Sequence, residues 1–524
     1  MKPKWLLLGT LLVTLGTVCL LYKNTAPQGI TWENAELYEG LLIKIIDSGN
    51  LATVSGQHPL PTSPFYKIVA PLFLNNSSTP AKSLGALSIF CSLITLSFLG
   101  ALLYKMTHSS LAALLAVFFL STNPVFWRYS TNANVNVLAL ALLSLGFFLT
   151  NELLENEGDT FTTVLLGITS GLAISTFPQS VVVVAALGIF LAKSKNKPNL
   201  WPKYSLGIFL GSIPVLLLAV TFPLTLSQGW LAWILPIELR PSDIWLRLAS
   251  QGELLFQTPT WPLFLLASLG WLWERKDGHK PNPASYFCLA LVADLIFNAL
   301  HVTPNREVYL LPELLLAAIL AGLGFDLVAS LLIRIIKTKL AVAYENKFLL
   351  VIVRVKEANI GSQVIIYGIL MGLCFFPSLA GIYKIREISA SGERNAAANY
   401  LTQVGKVASP SSLIIADDPR IAATLEYLKF VRPEKKIVTS GTDFPFDQEA
   451  LEKIRLLSPT LPGQPLALTE QTEGGDWVKK AIEEALVDQD VYFAPSQPPI
   501  PGAEASWENF KLTPSGVLYK LSGT

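Results

Sequence analysis

The chain has 524 residues, of which 51% are hydrophobic and 15% are charged. Soluble domains carry about 25% charged residues, so this composition excludes an ordinary soluble protein and favours one that crosses a membrane many times. The formal net charge of +1 leaves no large basic field, so no nucleic-acid partner is expected. All four cysteines lie inside apolar runs, where they predict buried thiols and neither a disulfide framework nor a metal site.

Residues 1–383 contain eleven apolar runs close to the length of about 20 residues that spans a bilayer as a helix. The first run has no Ala-x-Ala cleavage site after it, so it is predicted to be retained as a span. Residues 338–361 contain an apolar stretch too short to span, and they are predicted to lie on the inner membrane surface as an amphipathic segment. The predicted spans are residues 4–22, 82–105, 109–126, 132–151, 161–177, 178–193, 204–226, 261–274, 284–301, 307–333 and 362–383.

Basic residues are distributed unevenly between the predicted loops. The loops on the side of the N-terminus hold most of them: Lys105, Lys193, Lys195, Lys197, Lys203, Arg275, Lys276, Lys280, Arg334, Lys337 and Lys339. Cytoplasmic loops carry such an excess, so the N-terminus is predicted to be cytoplasmic. The expected location is the inner (plasma) membrane of a bacterium.

An odd number of spans places residues 384–524 outside the cytoplasm. Short apolar runs at 412–416, 437–439 and 491–494 alternate with helical patterns at 419–431, 447–457 and 476–486. This alternation predicts a small α/β domain with a parallel sheet. Residues 512–521 are predicted to close the domain as a hairpin with its turn at Pro514-Ser515-Gly516.

The first outer loop, residues 23–81, is acidic at its start. A helix over 32–49 would carry an apolar stripe on one face and Glu33 and Glu36 on the other, so it would lie flat on the membrane. Two interpretations remain open. The acids form a solvated face that suits the helix dipole, or they are catalytic carboxylates.

His58 follows in the same loop, before two close prolines, Pro59 and Pro61. Two prolines fix the backbone in a rigid turn, which could present His58 at a site. The alternative is an exposed or structural histidine.

Several short motifs occur in a fixed order along the chain: Glu33-Asn34-Ala35-Glu36, His58-Pro59-Leu60-Pro61-Thr62-Ser63-Pro64-Phe65-Tyr66, Phe126-Trp127, Gly171-Leu172-Ala173, residues 306–312, Asp418, Tyr427, Arg432-Pro433 and residues 491–494. In these motifs the chain resembles the multi-spanning proteins related to protein O-mannosyltransferases, within the GT-C glycosyltransferase superfamily. That resemblance implies a GT-C-like transmembrane domain over 1–383 and an extracytoplasmic α/β domain over 384–524.

The chain departs from the family pattern at three positions. Glu33 stands in place of an aspartate, Asn134 in place of a glutamate of the second outer loop, and Phe177 in place of a histidine. An asparagine side chain cannot act as an acid or a base. A divergent enzyme and a catalytically inactive relative therefore both remain open.

The resemblance implies transfer of a sugar, with mannose as the expected one, from a polyprenyl phosphate to a protein or glycan acceptor on the outer face of the membrane. A carboxylate of the outer loop would act as general base on the acceptor hydroxyl. Glu33 is predicted to be that base, and Glu36 to orient the acceptor or to replace Glu33. The alternative for Glu36 is a salt bridge on the helix surface.

The leaving phosphate needs cations or hydrogen-bond donors. Asp294, Asn298 and His301 share one face of the ninth predicted span, since they stand at i, i+4 and i+7. Asp294 is predicted to be the only acid clearly within a span, where a charge costs at least about 2.5–3.5 kcal/mol. These three residues are therefore predicted to bind the substrate, and a hydrogen bond between helices is the alternative for Asp294.

Two arginines are further candidates for the phosphate. Arg306 stands at the outer mouth of the tenth span, and a guanidinium binds phosphate through two hydrogen bonds. The alternative for Arg306 is contact with lipid headgroups. Arg128 beside Trp127 is the second candidate, and Trp127 is interpreted as an anchor at the membrane interface.

Some enzymes of the superfamily use a divalent metal ion, and the scattered carboxylates of this chain define no site for one. Two other hypotheses compete with a transferase. A transporter or lipid-handling protein would show repeated halves and charges at the membrane midplane. A non-catalytic scaffold of the cell envelope is favoured by Asn134 and Phe177.

Overall fold

The computed structural model describes residues 3–27, 31, 64–74, 80–155, 159–193, 200–216, 241–257, 262–273, 283–301, 306–345, 372, 375–391, 393–409, 412–416, 421, 424–425, 427–428, 438–441, 486, 490–495, 505–507 and 510–523. The chain divides into two compact units. The first comprises Met1–Ala26, Gly56–Leu72 and Leu84–Ala390, and the second Pro27–Ser55, Phe73–Ser83 and Ser391–Thr524. The predicted domain boundary at residue 384 thus falls close to the last of these divisions.

The described residues are mostly helical. The helices are α1 (Pro3–Thr25), α2 (Pro64–Leu74), α3 (Pro80–Thr107), α4 (Ser110–Ser121), α5 (Pro124–Thr131), α6 (Val135–Glu155), α7 (Thr160–Thr176), α8 (Ser180–Lys193), α9 (Leu200–Gly211), α10 (Pro241–Gln257), α11 (Pro262–Gly270), α12 (Pro283–Leu300), α13 (Arg306–Glu345), α14 (375–390) and α15 (Ala396–Val407).

Among the described residues, four helices are long and apolar enough to cross a membrane: Ala81–Thr107, Val135–Glu155, Pro283–Leu300 and Glu307–Ile335. The pair α4 and α5 makes a fifth if it is one bent span. The chain is therefore an integral membrane protein. The total of eleven spans remains a prediction, because other runs form shorter helices or lie partly outside the described residues.

The predicted span 109–126 is broken in the structure. α4 ends at Ser121, α5 begins at Pro124, and the two helices are bent by 68°. Proline has no N–H to offer and suits the first position of a new helix. The Asn123 side chain accepts hydrogen bonds from the backbone N–H groups of Val125 and Phe126 at 3.0 and 3.3 Å. These residues stop one helix and start the next.

α13 is the central helix of the first unit. Every leucine, isoleucine and phenylalanine between Leu310 and Phe325 is at most 1% exposed, which is typical of a helix packed on all sides. α11 approaches it closely, since a Cβ on Gly324 would lie 1.9 Å from the Leu266 carbonyl oxygen. α13 also continues unbroken to Glu345, so the start of the predicted surface segment 338–361 is the end of this helix. Residues 346–361 lie outside the described residues.

Glycines let α7 and α9 touch through their backbones. A Cβ on Gly167 would lie 2.3 Å from the Tyr204 carbonyl oxygen, and one on Gly211 would lie 2.2 Å from that of Ile168. Each helix carries two glycines four residues apart, the spacing that brings membrane helices into close contact.

The helices of the first unit have one end rich in lysine. There Lys105 pairs with Glu152 and, at 2.9 Å, with Glu155. Lys203 donates a hydrogen bond to Thr160 at 2.6 Å. We call this the lysine end.

At the opposite end of these helices the indole of Trp127 donates to Thr25 at 2.7 Å, and Tyr22 donates to the Ser121 carbonyl at 2.8 Å. α1 therefore ends beside α5. We call this the arginine end, because it carries Arg128, Arg247 and the start of α13 at Arg306.

The second unit contains a six-stranded sheet in the order β2-β1-β3-β6-β5-β4. β1 pairs in parallel with β2 and with β3, and the remaining pairs are antiparallel. The strands are β1 (Leu413–Ala416), β2 (Val438–Gly441), β3 (Val491–Ala494), β4 (Ala505–Trp507), β5 (Phe510–Ser515) and β6 (Leu518–Gly523).

The strands predicted from the sequence lie at β1, β2 and β3, and the predicted closing hairpin is β5 with β6. Gly516 in its turn has a φ of 63°, a conformation that favours glycine. The sheet is mixed, whereas the sequence predicted a parallel one. The predicted helices at 447–457 and 476–486 lie outside the described residues, apart from residue 486.

An ion pair joins β3 and β6. The Asp490 carboxylate accepts from the Lys520 ammonium and from the Ser409 hydroxyl, both at 2.6 Å. The hydrogen bond and charge of Lys520 lower the pKa of Asp490, and the same contact raises the pKa of Lys520.

Candidate functional site

A tight turn between α7 and α8 brings a glutamine into the interior of the first unit. Pro178 follows Phe177, and a residue before proline is disfavoured in a helix, so α7 ends there. The backbone N–H of Ser180 donates to the Phe177 carbonyl at 2.9 Å and restarts the helix. Gln179, between them, is completely buried.

The side-chain amide of Gln179 binds two other helices at the arginine end. Its Nε2 donates to Asp294 Oδ1 at 2.9 Å and to Asn298 Oδ1 at 2.8 Å, both on α12. It also lies 3.2 Å from the Tyr309 carbonyl oxygen on α13. One amide thus connects three segments of the chain.

Asn298 continues this network to a second buried acid. Its Nδ2 donates to Glu313 Oε1 at 2.6 Å and to the Tyr309 carbonyl at 3.1 Å. Asp294 is 0% exposed and Glu313 is 2% exposed. We call Gln179, Asp294, Asn298 and Glu313 the buried quartet.

Aromatic rings cover the quartet at the arginine end. His301 stacks on Phe297 with ring centroids 5.4 Å apart, and it lies 5.8 Å from the Tyr309 ring. The ring centroid of Phe177 lies 5.8 Å from that of Tyr309. His301, Tyr309 and Phe177 thus form a continuous group of rings next to the quartet.

Two arginines border these rings. Arg247 of α10 is 6% exposed, donates to the Leu300 carbonyl at 3.3 Å and acts electrostatically on His301. Arg128 of α5 pairs with Glu307 at the start of α13, at 2.7 Å and with both side chains about one third exposed. The arginine end thus offers cationic groups above a buried acidic network.

The structure brings together part of the predicted site. Asp294, Asn298 and His301 lie on one face of α12, as their spacing predicted, and Arg306 begins α13. The predicted inter-helix hydrogen bond of Asp294 is present, with Gln179 as its partner. Glu33, Glu36 and His58 lie outside the described residues, so their assignment stays a prediction.

Two of the three departures from the family pattern have structural roles. The backbone N–H of Asn134 donates to Ser88, and its side-chain oxygen accepts from the Asn136 N–H at 2.8 Å, at the start of α6. Phe177 packs against Tyr309 and Ala139 in an apolar cluster.

Sequence reasoning missed three residues of this region: Gln179, Arg247 and Glu313. Glu313 also corrects the prediction that Asp294 is the only acid clearly within a span. Its signal was present, because a glutamate inside the apolar run 307–333 is expensive to insert, and Asp326 lies in the same run. Gln179 carried no such signal, since one amide beside a proline is common in turns.

In the part of the chain that the structure describes, no group of three or more histidine, cysteine, aspartate or glutamate side chains is placed to hold a metal ion. The acidic loop that contains Glu33 lies outside that part. A divalent metal at the loop therefore stays untested.

Three comparisons place this chain among known proteins. Residues 57–223 match the sequence model of the dolichyl-phosphate-mannose-protein mannosyltransferase family. No curated protein shows significant sequence similarity to the chain.

Solved structures share the fold. ArnT from Cupriavidus metallidurans bound to undecaprenyl phosphate has a TM-score of 0.59 at 14% identity, over 99% of this chain and 98% of ArnT. Its apo form has a TM-score of 0.61 at 12% identity, over 93% of each chain. The archaeal oligosaccharyltransferase AglB from Archaeoglobus fulgidus has a TM-score of 0.48 at 12% identity, over 92% of this chain and 69% of AglB.

The fold is therefore that of ArnT. The match over residues 57–223 confirms the resemblance to the protein mannosyltransferase family that the sequence motifs predicted.

Proposed function

We propose that the protein is a membrane glycosyltransferase that moves a sugar, mannose in the first instance, from a polyprenyl phosphate to a protein or glycan acceptor. The observation that carries this proposal is the mannosyltransferase family match over residues 57–223. The ArnT-like fold over nearly the whole chain supports it, since ArnT was solved with undecaprenyl phosphate.

In this proposal Glu33 is the general base and Glu36 orients the acceptor hydroxyl, with His58 in the same loop lining the site. Attack by the acceptor oxygen on the anomeric carbon breaks the bond to phosphate, and the base takes the hydroxyl proton. Glu33 follows Thr25 by eight residues, so the loop can carry it about 28 Å at most from the end of α1. That end lies at Trp127, next to Arg128.

The leaving phosphate would be held at the arginine end. Arg306, His301 and Arg128 are the proposed ligands, and Arg247 adds positive charge beside His301. Charge-assisted donors suit a phosphate whose negative charge grows in the transition state. Asp294 and Asn298 would serve this site by fixing α12 against α13, because a carboxylate would repel phosphate.

The proposed topology has eleven spans, a cytoplasmic N-terminus, and residues 384–524 as an extracytoplasmic domain of a bacterial inner membrane protein. The excess of Lys and Arg in the predicted loops on the side of Lys105 and Lys203 supports this arrangement. With the lysine end cytoplasmic, it follows the positive-inside rule and puts the arginine end on the outer face.

A transfer assay tests the proposal. The purified full chain in nanodiscs receives synthetic polyprenyl phosphate mannose labelled in the sugar, together with cell-envelope acceptor extract. We expect label to reach the acceptor, and Glu33→Gln to lower the rate by at least about 100-fold, the scale of general-base catalysis. Glu387→Gln, an exposed acid of α14 in a surface ion pair, is the control and should keep wild-type activity. Wild-type-like transfer by Glu33→Gln removes Glu33 from the base role.

A second candidate function is a non-catalytic relative that binds the lipid-linked sugar without transferring it. The observation that favours it is Asn134, where the family has a glutamate and where the side chain of this chain caps α6. Binding of labelled polyprenyl phosphate mannose with no transfer to any acceptor fraction would support this candidate over the first.

A further inference from the structure

The buried quartet poses a problem of charge. Asp294 and Glu313 are 0% and 2% exposed inside the helical unit. Among the ion pairs of the described residues, none reaches either carboxylate. Their hydrogen bonds come from the neutral amides of Gln179 and Asn298. Two bare carboxylates in such a place would be very costly.

The quartet also has more acceptors than donors. Gln179 and Asn298 offer four N–H hydrogens from two NH₂ groups. Three buried side-chain oxygens have no hydrogen-bond partner: Gln179 Oε1, Asp294 Oδ2 and Glu313 Oε2. They come from three separate segments, the α7–α8 turn, α12 and α13. The amide N–H groups bind one oxygen of each acid, and the second oxygen of each acid has no donor.

The position of Gln179 Oε1 is fixed by its own amide. The Gln179 nitrogen lies within 3.2 Å of three oxygen acceptors, so it cannot be exchanged with the oxygen by a flip of the amide. The oxygen is bonded to the same carbon and therefore lies at the edge of the same cluster. It is a neutral oxygen without a hydrogen-bond partner in the same buried cluster as the two acids.

We propose that the buried quartet binds one small cation that takes oxygen ligands, held by Gln179, Asp294 and Glu313. Carboxylate and amide oxygens are the ligands that hard cations such as Na⁺ and Ca²⁺ use in proteins. The cation offsets the charge of the two acids and joins the α7–α8 turn to α12 and α13. Asn298 is a positioning residue, because it binds one oxygen of Glu313 and accepts from Gln179. The site touches the proposed sugar transfer only through the packing of α12 on α13, and its binding test needs no transfer activity.

A direct binding experiment tests the site and shows whether it prefers Na⁺ or Ca²⁺. The purified full chain in detergent is dialysed against ²²Na⁺ or ⁴⁵Ca²⁺, with N-methylglucamine chloride keeping the ionic strength constant. We expect one saturable site per chain for one of the two ions and loss of that site in Glu313→Gln and in Asp294→Asn. Asp326→Asn is the matched control. It is an acid of the same helix that binds Trp273 outside the quartet, and it should bind like wild type.

Thermal unfolding of the wild-type protein supplies a second measurement, which does not depend on whether the variants fold. A bound cation stabilises the native state by mass action, so the preferred ion should raise the wild-type Tm by about 2–4 °C. The ion should leave the Tm of a folded Glu313→Gln variant unchanged. Absence of saturable binding by wild type for both ions, with a Tm that neither ion alters, overturns the proposal and assigns the neutralising charge to protons on the acids.

Discussion

Gln179 stabilises the arginine end more than its single amide group would suggest. It supplies hydrogen bonds to Asp294, to Asn298 and to the Tyr309 carbonyl, and all of these acceptors lie where water is scarce. A buried acceptor that loses its donor keeps the full cost of desolvation. The turn after α7 is therefore a point at which one side chain determines how two other helices meet.

Replacing this amide by an apolar group of similar size should be destabilising. We expect Gln179→Leu to lower the free energy of unfolding by about 1–3 kcal/mol, because several acceptors lose a buried donor. The measurement is thermal unfolding in detergent. Ser144→Ala is the control, since Ser144 makes only a local bond to the Ala141 carbonyl. Equal Tm losses in the two variants would contradict the bridging role of Gln179.

The Arg128–Glu307 pair distinguishes a structural from a substrate-binding arginine. The pair is about one third exposed, and exposed pairs contribute about 0–1 kcal/mol. We expect a double-mutant cycle of Arg128→Gln and Glu307→Gln to give a coupling energy no larger than this. If Arg128 also binds the donor phosphate, Arg128→Gln should weaken binding of polyprenyl phosphate at least about tenfold, whereas Glu307→Gln should not. An equal effect of both variants on binding would make the pair purely structural.

The Asp490–Lys520 pair predicts a pH dependence in the second unit. The pKa of Asp490 is lowered in the folded state, so its contribution is complete above the unfolded value of about 3.9 and is lost as pH falls through the folded value. The raised pKa of Lys520 has the opposite sign, and its contribution is lost only at strongly alkaline pH. Hydrogen exchange of β3 and β6 amides should therefore differ between wild type and Asp490→Asn at pH 7. The difference should disappear in strong acid.

At the level of single residues, the sequence predicted the face of α12 and missed its partners. The spacing of Asp294, Asn298 and His301 fixes their common face, because helical geometry is local. Which side chains meet that face depends on packing between distant segments. Gln179 comes from a turn 115 residues away from Asp294, and no periodicity encodes that contact.

Among the elements, the contact between α7 and α9 is highly sensitive to side-chain size. Both helices are apolar, and lipid tails are as favourable an environment for one helix as the surface of the other helix is. Their association depends instead on close backbone contact at Gly167, Gly171, Gly207 and Gly211.

A single methyl group should disturb this contact. In Gly167→Ala the new Cβ would lie 2.3 Å from the Tyr204 carbonyl oxygen, so the helices must separate, at a cost of about 1–3 kcal/mol. Gly16→Ala on α1 meets nothing within 4 Å and should be neutral, or slightly stabilising because alanine favours helix. Thermal unfolding of the two variants checks the difference. A neutral Gly167→Ala would show that α7 and α9 can separate without loss.

The elements show why span counting from sequence is incomplete. Apolar length predicted α3, α6, α12 and α13 well, since insertion depends mainly on local hydropathy. The break between α4 and α5 left a signal in Asn123-Pro124, a helix cap followed by a proline, yet the hydropathy of 109–126 hid it. The antiparallel half of the sheet was underestimated because the short strand β4 has only three residues.

For the whole molecule, orientation is the prediction with the simplest test. If the lysine end is cytoplasmic, cysteines introduced at Ser110 and at the C-terminal Thr524 should face opposite sides of the membrane. A membrane-impermeant maleimide applied to intact spheroplasts should label Thr524→Cys and spare Ser110→Cys until the membrane is lysed. The variants are made in a chain whose four native cysteines are replaced by serine or alanine. Labelling of Ser110→Cys in intact spheroplasts before lysis would show that the topology is the reverse of the proposed one.

The order of motifs along the chain predicted the resemblance to the mannosyltransferase family that the match over residues 57–223 confirms. The predicted catalytic loop could not be compared with the structure, since Glu33, Glu36 and His58 lie outside the described residues. The family match over residues 57–223 includes His58 and leaves the roles of Glu33 and Glu36 as proposals.

The length of α13 has a practical consequence for imaging. Its 40 residues extend about 60 Å at the usual rise of 1.5 Å per residue, roughly twice the hydrocarbon thickness of a bilayer. The apolar part that can span the bilayer ends at Ile335, so the last ten residues continue the same helix for about 15 Å beyond it. A compact helical protein spliced in frame at Glu345 would continue this helix and give electron microscopists a fiducial mark on a particle of 57.2 kDa.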